Sequence, residues 1–218
     1  QRQPPPTDER SLAERLRAWQ NVTHPELVST EVEFRDREVI VIRPILDPLP
    51  AVPHDAEKSC QVLQMMARAL VEFHNQGLAH GELSPASIRI DGGRRLLLPP
   101  ALQPPLPAIA RLGLEVDPRY AAPEVLDGRS ATPSADMFSI GLIFYRLLTG
   151  VAPTSTVEPA DSFAARGALP APPLVEGSPA IKALYAKLTA VRPEQRPQDA
   201  AELLLDLEGI LTKDKLPA

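Results

Sequence analysis

The stretch His80-Gly81-Glu82-Leu83-Ser84-Pro85-Ala86-Ser87 decides how this chain is read. It sits between two segments of different periodicity. Upstream, from Ala56 to His74, the apolar residues Val62, Met65, Met66, Ala69, Leu70 and Phe73 recur at helical spacing, and Gly77 suits a C-terminal cap. Downstream, Ile88-Arg89-Ile90 and Leu96-Leu97-Leu98 flank the turn Asp91-Gly92-Gly93, the pattern of a short hairpin. A long helix, a polar loop and a hairpin therefore follow one another. Three further segments lie beyond: Asp117-Pro118-Arg119-Tyr120-Ala121-Ala122-Pro123-Glu124, Asp136-Met137-Phe138-Ser139-Ile140-Gly141, and Arg192-Pro193-Glu194-Gln195-Arg196-Pro197. Ser134 to Leu148 is apolar almost all round, which marks a helix buried at the centre of a domain, and Gly150 ends it. Ser178-Pro179 supplies an N-cap and a first-turn proline for a helix to Leu188, and a last helix spans Gln198 to Leu211.

In this order the four segments resemble a eukaryotic-type Ser/Thr protein kinase. The first resembles the catalytic loop His-Arg-Asp-Leu-Lys-Pro-x-Asn, and the second the Thr-Pro-x-Tyr-x-Ala-Pro-Glu that ends the activation segment. The third resembles the Asp-x-Trp-Ser-x-Gly that opens the central helix of the C-lobe. The fourth is similar to Asp-Pro-x-x-Arg-Pro, whose Arg pairs with the Glu of Ala-Pro-Glu. The resemblance covers about residues 8 to 211. It implies an α+β, protein kinase-like fold with a predominantly helical C-lobe and a reduced N-lobe of one helix plus a two-stranded hairpin. The expected division is a Pro-rich linker over 1–7, a rudimentary N-lobe over 8–46, a C-lobe over 47–212 and a tail over 213–218.

The N-lobe expectation rests on Leu12, Leu16 and Trp19 sharing one face of a helix from Ser11 to Trp19, followed by strands over Leu27–Phe34 and Glu38–Ile42. Val22-Thr23-His24-Pro25-Glu26-Leu27-Val28 resembles the family's link between that helix and its strand, which makes His24 a packing and capping residue. No glycine precedes Gly77 and no lysine precedes Lys58, so a Gly-rich phosphate loop and its partner lysine are not found upstream. The absent initiator Met suggests a piece of a longer polypeptide.

Against the kinase pattern, the loop keeps His80, Leu83 and Pro85 and changes its chemistry. A kinase uses the loop Asp to accept a hydroxyl proton and the Asn to hold magnesium. Here Glu82 and Ser87 stand at those places, Ser84 replaces the Lys, and Gly81 replaces the Arg. The metal-binding Asp-Phe-Gly aligns with Pro99-Pro100-Ala101, which offers no carboxylate. From Pro99 to Glu124 there is no Ser or Thr to phosphorylate. Glu124, Asp136 and Arg196 survive, and the resemblance gives them structural roles: a buried Glu124–Arg196 pair, and Asp136 bracing the loop near His80.

Composition narrows the classes further. The chain has 218 residues and a net charge of −5, so nucleic acid is not expected as a partner. Its one cysteine, Cys60, falls on an apolar helical face and reads as a buried thiol in a reducing compartment. The longest apolar run is broken by Gly141 and Arg146, and no membrane insertion is expected from this segment. Prolines number 26 and cluster at Pro4–Pro6, Pro44–Pro53, Pro99–Pro107 and Pro170–Pro179, which predicts stiff extended connections between helices.

The expectation from residues and resemblance together is a cytoplasmic pseudokinase: not an enzyme, without ATP, magnesium or other cofactor, acting as a regulatory scaffold in a larger protein, as a soluble chain or as the cytoplasmic part of a membrane-anchored one. The alternatives are a nucleotide sensor without transfer, or residual or repurposed phosphotransfer with Glu82 as base. A protein partner or second protomer is expected to dock around Leu16, Trp19, Val32 and Phe34, where a small N-lobe leaves a strand edge and an apolar helix face to cover.

Overall fold

The computed structural model describes residues 22, 24–28, 31–35, 38–42, 47–48, 55–91, 94–97, 118–127, 129–153, 173–174 and 177–213. Along them run β1 (Glu31–Arg35), β2 (Glu38–Ile42), β3 (Asp47–Pro48), α1 (Ala56–Asn75), β4 (Ile88–Asp91), β5 (Arg94–Leu97), α2 (Pro123–Leu126), α3 (Pro133–Thr149), α4 (Pro179–Leu188) and α5 (Ala200–Lys213). Single 3-10 turns occupy Pro85–Ser87, Pro118–Tyr120 and Pro193–Gln195. The expected helix at Ser11–Trp19, with Leu16 and Trp19, lies outside the described residues, as do Pro99, Pro100 and Ala101.

Every helix but α2, which Ala122 precedes without a side-chain cap, begins where a short polar side chain can take an orphan N–H. Asp55 Oδ1 accepts from Lys58 N at 2.7 Å, Thr132 Oγ1 from Ala135 N at 3.2 Å, and Ser178 Oγ from Ile181 N at 3.4 Å. Gly150, at φ 72°, closes α3 in the left-handed region where a side chain is strained. The core centres on α1 and α3. Val62, Leu63, Met66, Leu70 and Phe73 of α1 and Met137, Ile140, Leu142, Ile143 and Phe144 of α3 are all buried. Leu184 and Leu188 of α4 and Leu203 and Leu207 of α5 complete the same cluster. Cys60 is buried within it.

The strands form two sheets. β1 and β2 pair antiparallel from Glu31 opposite Ile42 to Arg35 opposite Glu38, and β3, β4 and β5 form a second sheet in that order. The first strand starts later than the alternation from Leu27 predicts. His24-Pro25-Glu26-Leu27 closes a turn instead, with Leu27 N donating to His24 O at 2.9 Å and Glu26 N to His24 Nδ1 at 3.2 Å. β3 is a short edge strand inside a proline cluster, with Asp47 opposite Ile90 and Pro48 opposite Arg89. An edge tolerates the missing N–H of proline. The last helix begins at Ala200 rather than Gln198, because Asp199 Oδ1 accepts from Glu202 N at 2.9 Å while Glu202 Oε2 accepts from Gln198 N at 2.9 Å.

Lys187 of α4 links to α5 through Glu202 at 2.9 Å and Asp206 at 2.7 Å. The hydrogen bond from Gln198 N, aided by Lys187, holds the Glu202 carboxyl below its ordinary value of 4.5. For Lys187, burial pulls downward, yet the two carboxylates outweigh it and the ammonium lies above its ordinary 10.5.

α3 and α4 approach most closely at Gly141. A Cβ there would stand 2.6 Å from Thr189 Cγ2 and 2.9 Å from Leu188 Cβ, both short side-chain atoms with little room to yield. Gly209, exposed on α5, would meet nothing within 4 Å. Gly141→Ala is expected to lose roughly 1–3 kcal/mol through overpacking, and Gly209→Ala to gain roughly 0.5–1 kcal/mol from helix propensity. Urea unfolding of both variants checks the packing, and equal effects of the same sign would contradict it.

Candidate functional site

The polar loop that follows α1 is suspended from one buried carboxylate. Asp136, in the first turn of α3 and fully buried, accepts from His80 N at 2.6 Å through Oδ2 and from Gly81 N at 2.7 Å through Oδ1. His74 Nε2 lies 3.1 Å from the same Oδ2. His74 Nδ1 accepts from Ala200 N at 2.9 Å. A backbone N–H can only donate, so Nδ1 is the acceptor and Nε2 carries the proton given to Asp136. Three donors thus satisfy a carboxylate that burial alone would penalise heavily. Through His74, the same contact set reaches the first turn of α5. Gly81, at φ 73°, occupies the left-handed region that lets its N–H turn toward Asp136 without side-chain strain.

Below that anchor the loop closes on itself. Glu82 N donates to the buried His80 ring at Nδ1, 3.3 Å away. Ser84 N donates to Ser87 Oγ at 3.2 Å, and Ser87 Oγ donates to Glu82 O at 3.2 Å. Ser84 Oγ accepts from Ala86 N at 3.2 Å, so Ser84 and Ser87 form a reciprocal capping box around the turn Pro85–Ser87. Leu83 is buried and plugs the loop onto the core. Glu82, whose carboxyl is a possible general base by type, is half-buried in this loop.

The Ser87 hydroxyl, standing where the kinase resemblance places a magnesium-binding amide oxygen, gives its proton to Glu82 O and one lone pair to Ser84 N–H and keeps the other lone pair. Among the described residues, no group of three or more His, Cys, Asp or Glu side chains could hold a metal ion.

A second buried knot lies on the far side of α3. Arg196 Nη1 donates to Glu124 Oε1 at 2.7 Å and to Ser134 O at 3.2 Å, and Nη2 donates to Glu124 Oε2 and to Val191 O, both at 3.0 Å. Its Nε donates to Ala190 O at 2.7 Å. All five guanidinium N–H groups are used, and the group lies over the Phe138 ring, 4.8 Å from its centroid. Glu124 is positioned by α2, which opens on Pro123, and Arg196 by the turn Pro193–Gln195, whose Pro193 O accepts from Ser134 Oγ at 2.9 Å.

The structure therefore brings His80, Gly81, Glu82, Ser84, Ser87 and Asp136 into one site and Glu124 and Arg196 into another. Val32 and Phe34 lie in β1, opposite Val41 and Val39. His74 was not singled out by sequence reasoning. Its only signal is a polar residue at the end of an otherwise apolar helical face.

A protein kinase domain model matches residues 110–206. The serine/threonine-protein kinase PknJ of Mycobacterium tuberculosis is 31% identical over 176 residues, covering 72% of this chain and 29% of that protein. PknL of the same species is 31% identical over 204 residues, covering 89% of this chain and 49% of that protein. An inactive leucine-rich repeat receptor-like serine/threonine-protein kinase of Arabidopsis thaliana is 31% identical over 108 residues, covering 45% of this chain and 17% of that protein. The chain thus spans less than half the length of each of these relatives. With the helical architecture above, the matches show that the chain has a protein kinase-like fold. They also correct the expectation of a non-enzyme: the kinase-domain match and relatives named as Ser/Thr protein kinases point to an enzyme. That expectation weighed each lost group by its role in a kinase and read the surviving Glu124, Asp136 and Arg196 as structural alone.

Removing one partner of a buried ion pair strands the other, at a cost of roughly 3–5 kcal/mol. Arg196→Ala is expected to lose that much, and Arg196→Lys most of it, because an ammonium cannot span both Glu124 oxygens and three carbonyls. Glu82→Ala should change stability by less than about 1 kcal/mol. Denaturant midpoints for the three variants check this ordering, and a Glu82→Ala loss exceeding that of Arg196→Ala would reverse the assignment.

Proposed function

We propose that this chain is the kinase-type unit of a Ser/Thr phosphotransferase whose chemistry is residual or repurposed, with Glu82 as the proton acceptor. The observation that carries the reading is the placement of Glu82: its loop is anchored by Asp136 on one side and closed by Ser84 and Ser87 on the other. In the reaction the acceptor hydroxyl oxygen attacks the terminal phosphorus of a nucleoside triphosphate, its proton passes to the Glu82 carboxylate, and the nucleoside diphosphate leaves. General-base help of this kind is worth about 10²–10⁴-fold. The relatives named as Ser/Thr kinases support the class.

A regulatory, partner-binding role is a second reading and does not require that transfer be lost. It is favoured by the engagement of Ser87 within the loop and by the similarity to a relative named inactive. In that reading residues 8–46 form an N-lobe portion, 47–212 the C-lobe, and a partner or second copy docks around Leu16, Trp19, Val32 and Phe34. A cytoplasmic setting is part of the proposal; among the described residues no helix is long and apolar enough to cross a membrane.

The test is transfer of the γ-phosphate from labelled ATP, with magnesium or manganese, to a Ser/Thr-rich acceptor protein or to the chain itself. Label on Ser or Thr that falls about 100-fold in Glu82→Gln, at unchanged melting temperature, is the expected result. Incorporation no greater than that of Glu82→Gln under either metal would overturn the phosphotransfer reading.

A further inference from the structure

Both backbone groups of Glu82 are held by side chains of its own loop. Its N–H goes to His80 Nδ1 at 3.3 Å and its C=O receives the Ser87 hydroxyl at 3.2 Å. The neighbouring amides are held as well: His80 and Gly81 by Asp136, Ser84 by Ser87 Oγ, Ala86 by Ser84 Oγ, and Ser87 by Ser84 O at 2.9 Å. We propose that Ser87 and Ser84 are a positioning pair that fixes the Glu82 backbone without a divalent cation, so that the order of this loop is independent of magnesium.

The hydroxyl inventory carries the argument. A serine has one proton and two lone pairs. Ser87 commits the proton to Glu82 O and one lone pair to Ser84 N–H, and it is buried. Both commitments are to groups of the loop itself, and each is comparable to a buried hydrogen bond. A cation meeting the remaining lone pair would leave both in place, so closure draws on the protein's own donors and acceptors alone. Gly81 contributes from the other end, because its left-handed backbone needs no further support to reach Asp136. The consequence for Glu82 as a base rests on the phosphotransfer reading. The test below uses no transfer, so the two ideas fail separately.

Amide hydrogen exchange of the whole chain, metal-free and in millimolar magnesium chloride with and without ATP, reads the loop directly. Glu82, Ser84 and Ala86 amides are expected to be protected in the metal-free protein and to change by less than about twofold on adding magnesium. Ser87→Ala should speed exchange at Ser84 on the order of tenfold while amides of α3 stay unchanged, and Ser87→Thr, which keeps the hydroxyl, should restore protection. Ser84→Ala should free Ala86 in the same way, and it carries the test if Ser87→Ala unfolds α3 as well. A wild-type loop that exchanges freely until magnesium is added, or hydroxyl-free variants that exchange like wild type, would overturn the proposal.

Discussion

The rest of the structure depends on the buried carboxylate of Asp136. It accepts hydrogen bonds from His80 N, Gly81 N and His74 Nε2, and His74 in turn accepts from the first turn of α5. One side chain thereby fixes the exit of α1, the start of the polar loop, the N-terminal turn of α3 and the entry of α5. A carboxylate is suited to this place for two reasons. It offers only acceptors to groups that can only donate, and it sits where the helix macrodipole of α3 favours negative charge. Hydrogen bonds to a charged group are worth roughly 1.5–3 kcal/mol each, so the arrangement recovers much of the cost of burying the charge.

Arg196 performs a complementary task with the opposite sign. Where Asp136 gathers backbone donors, Arg196 gathers carbonyls from Ser134, Ala190 and Val191 together with the Glu124 carboxylate. Replacing such a pair with apolar side chains is often neutral, so its value lies less in net stability than in specifying which segments meet. The two knots act on opposite sides of α3, and the polar loop inherits its geometry from the first of them. That is the physical link between the helical scaffold and the place of Glu82 in the loop.

Much of this was legible in the sequence. Ser178-Pro179 and the glycines at 77 and 150 mark helix ends by local chemistry, and the structure places caps at or beside each of them. Apolar spacing located α1 and α3 because their faces are set by burial in one core. What was not legible depends on contacts between distant segments. Leu27 continues an alternating pattern, yet the His24 turn keeps it out of β1. β3 exists only because β4 is there to pair with it. His74 looks like the last residue of a helix until the fold brings Asp136 and Ala200 to its two nitrogens. Ser84 and Ser87 read as losses beside a kinase loop, whereas in the structure they are the groups that close it. Counting lost groups therefore pointed away from an enzyme, while the kinase-domain match and the Ser/Thr kinase relatives point toward one.

The central claim, that Asp136 suspends the loop, is tested most directly by the amide proton shifts of His80 and Gly81 in the wild-type chain and in Asp136→Asn. Short hydrogen bonds to a buried carboxylate place both amide protons far downfield. The account predicts that Asp136→Asn moves both upfield and perturbs Glu82 and Ala200, while amides at the far end of α1 keep their positions. If both protons hold their wild-type shifts in a folded Asp136→Asn protein, the loop is held by something other than this carboxylate, and the account is contradicted.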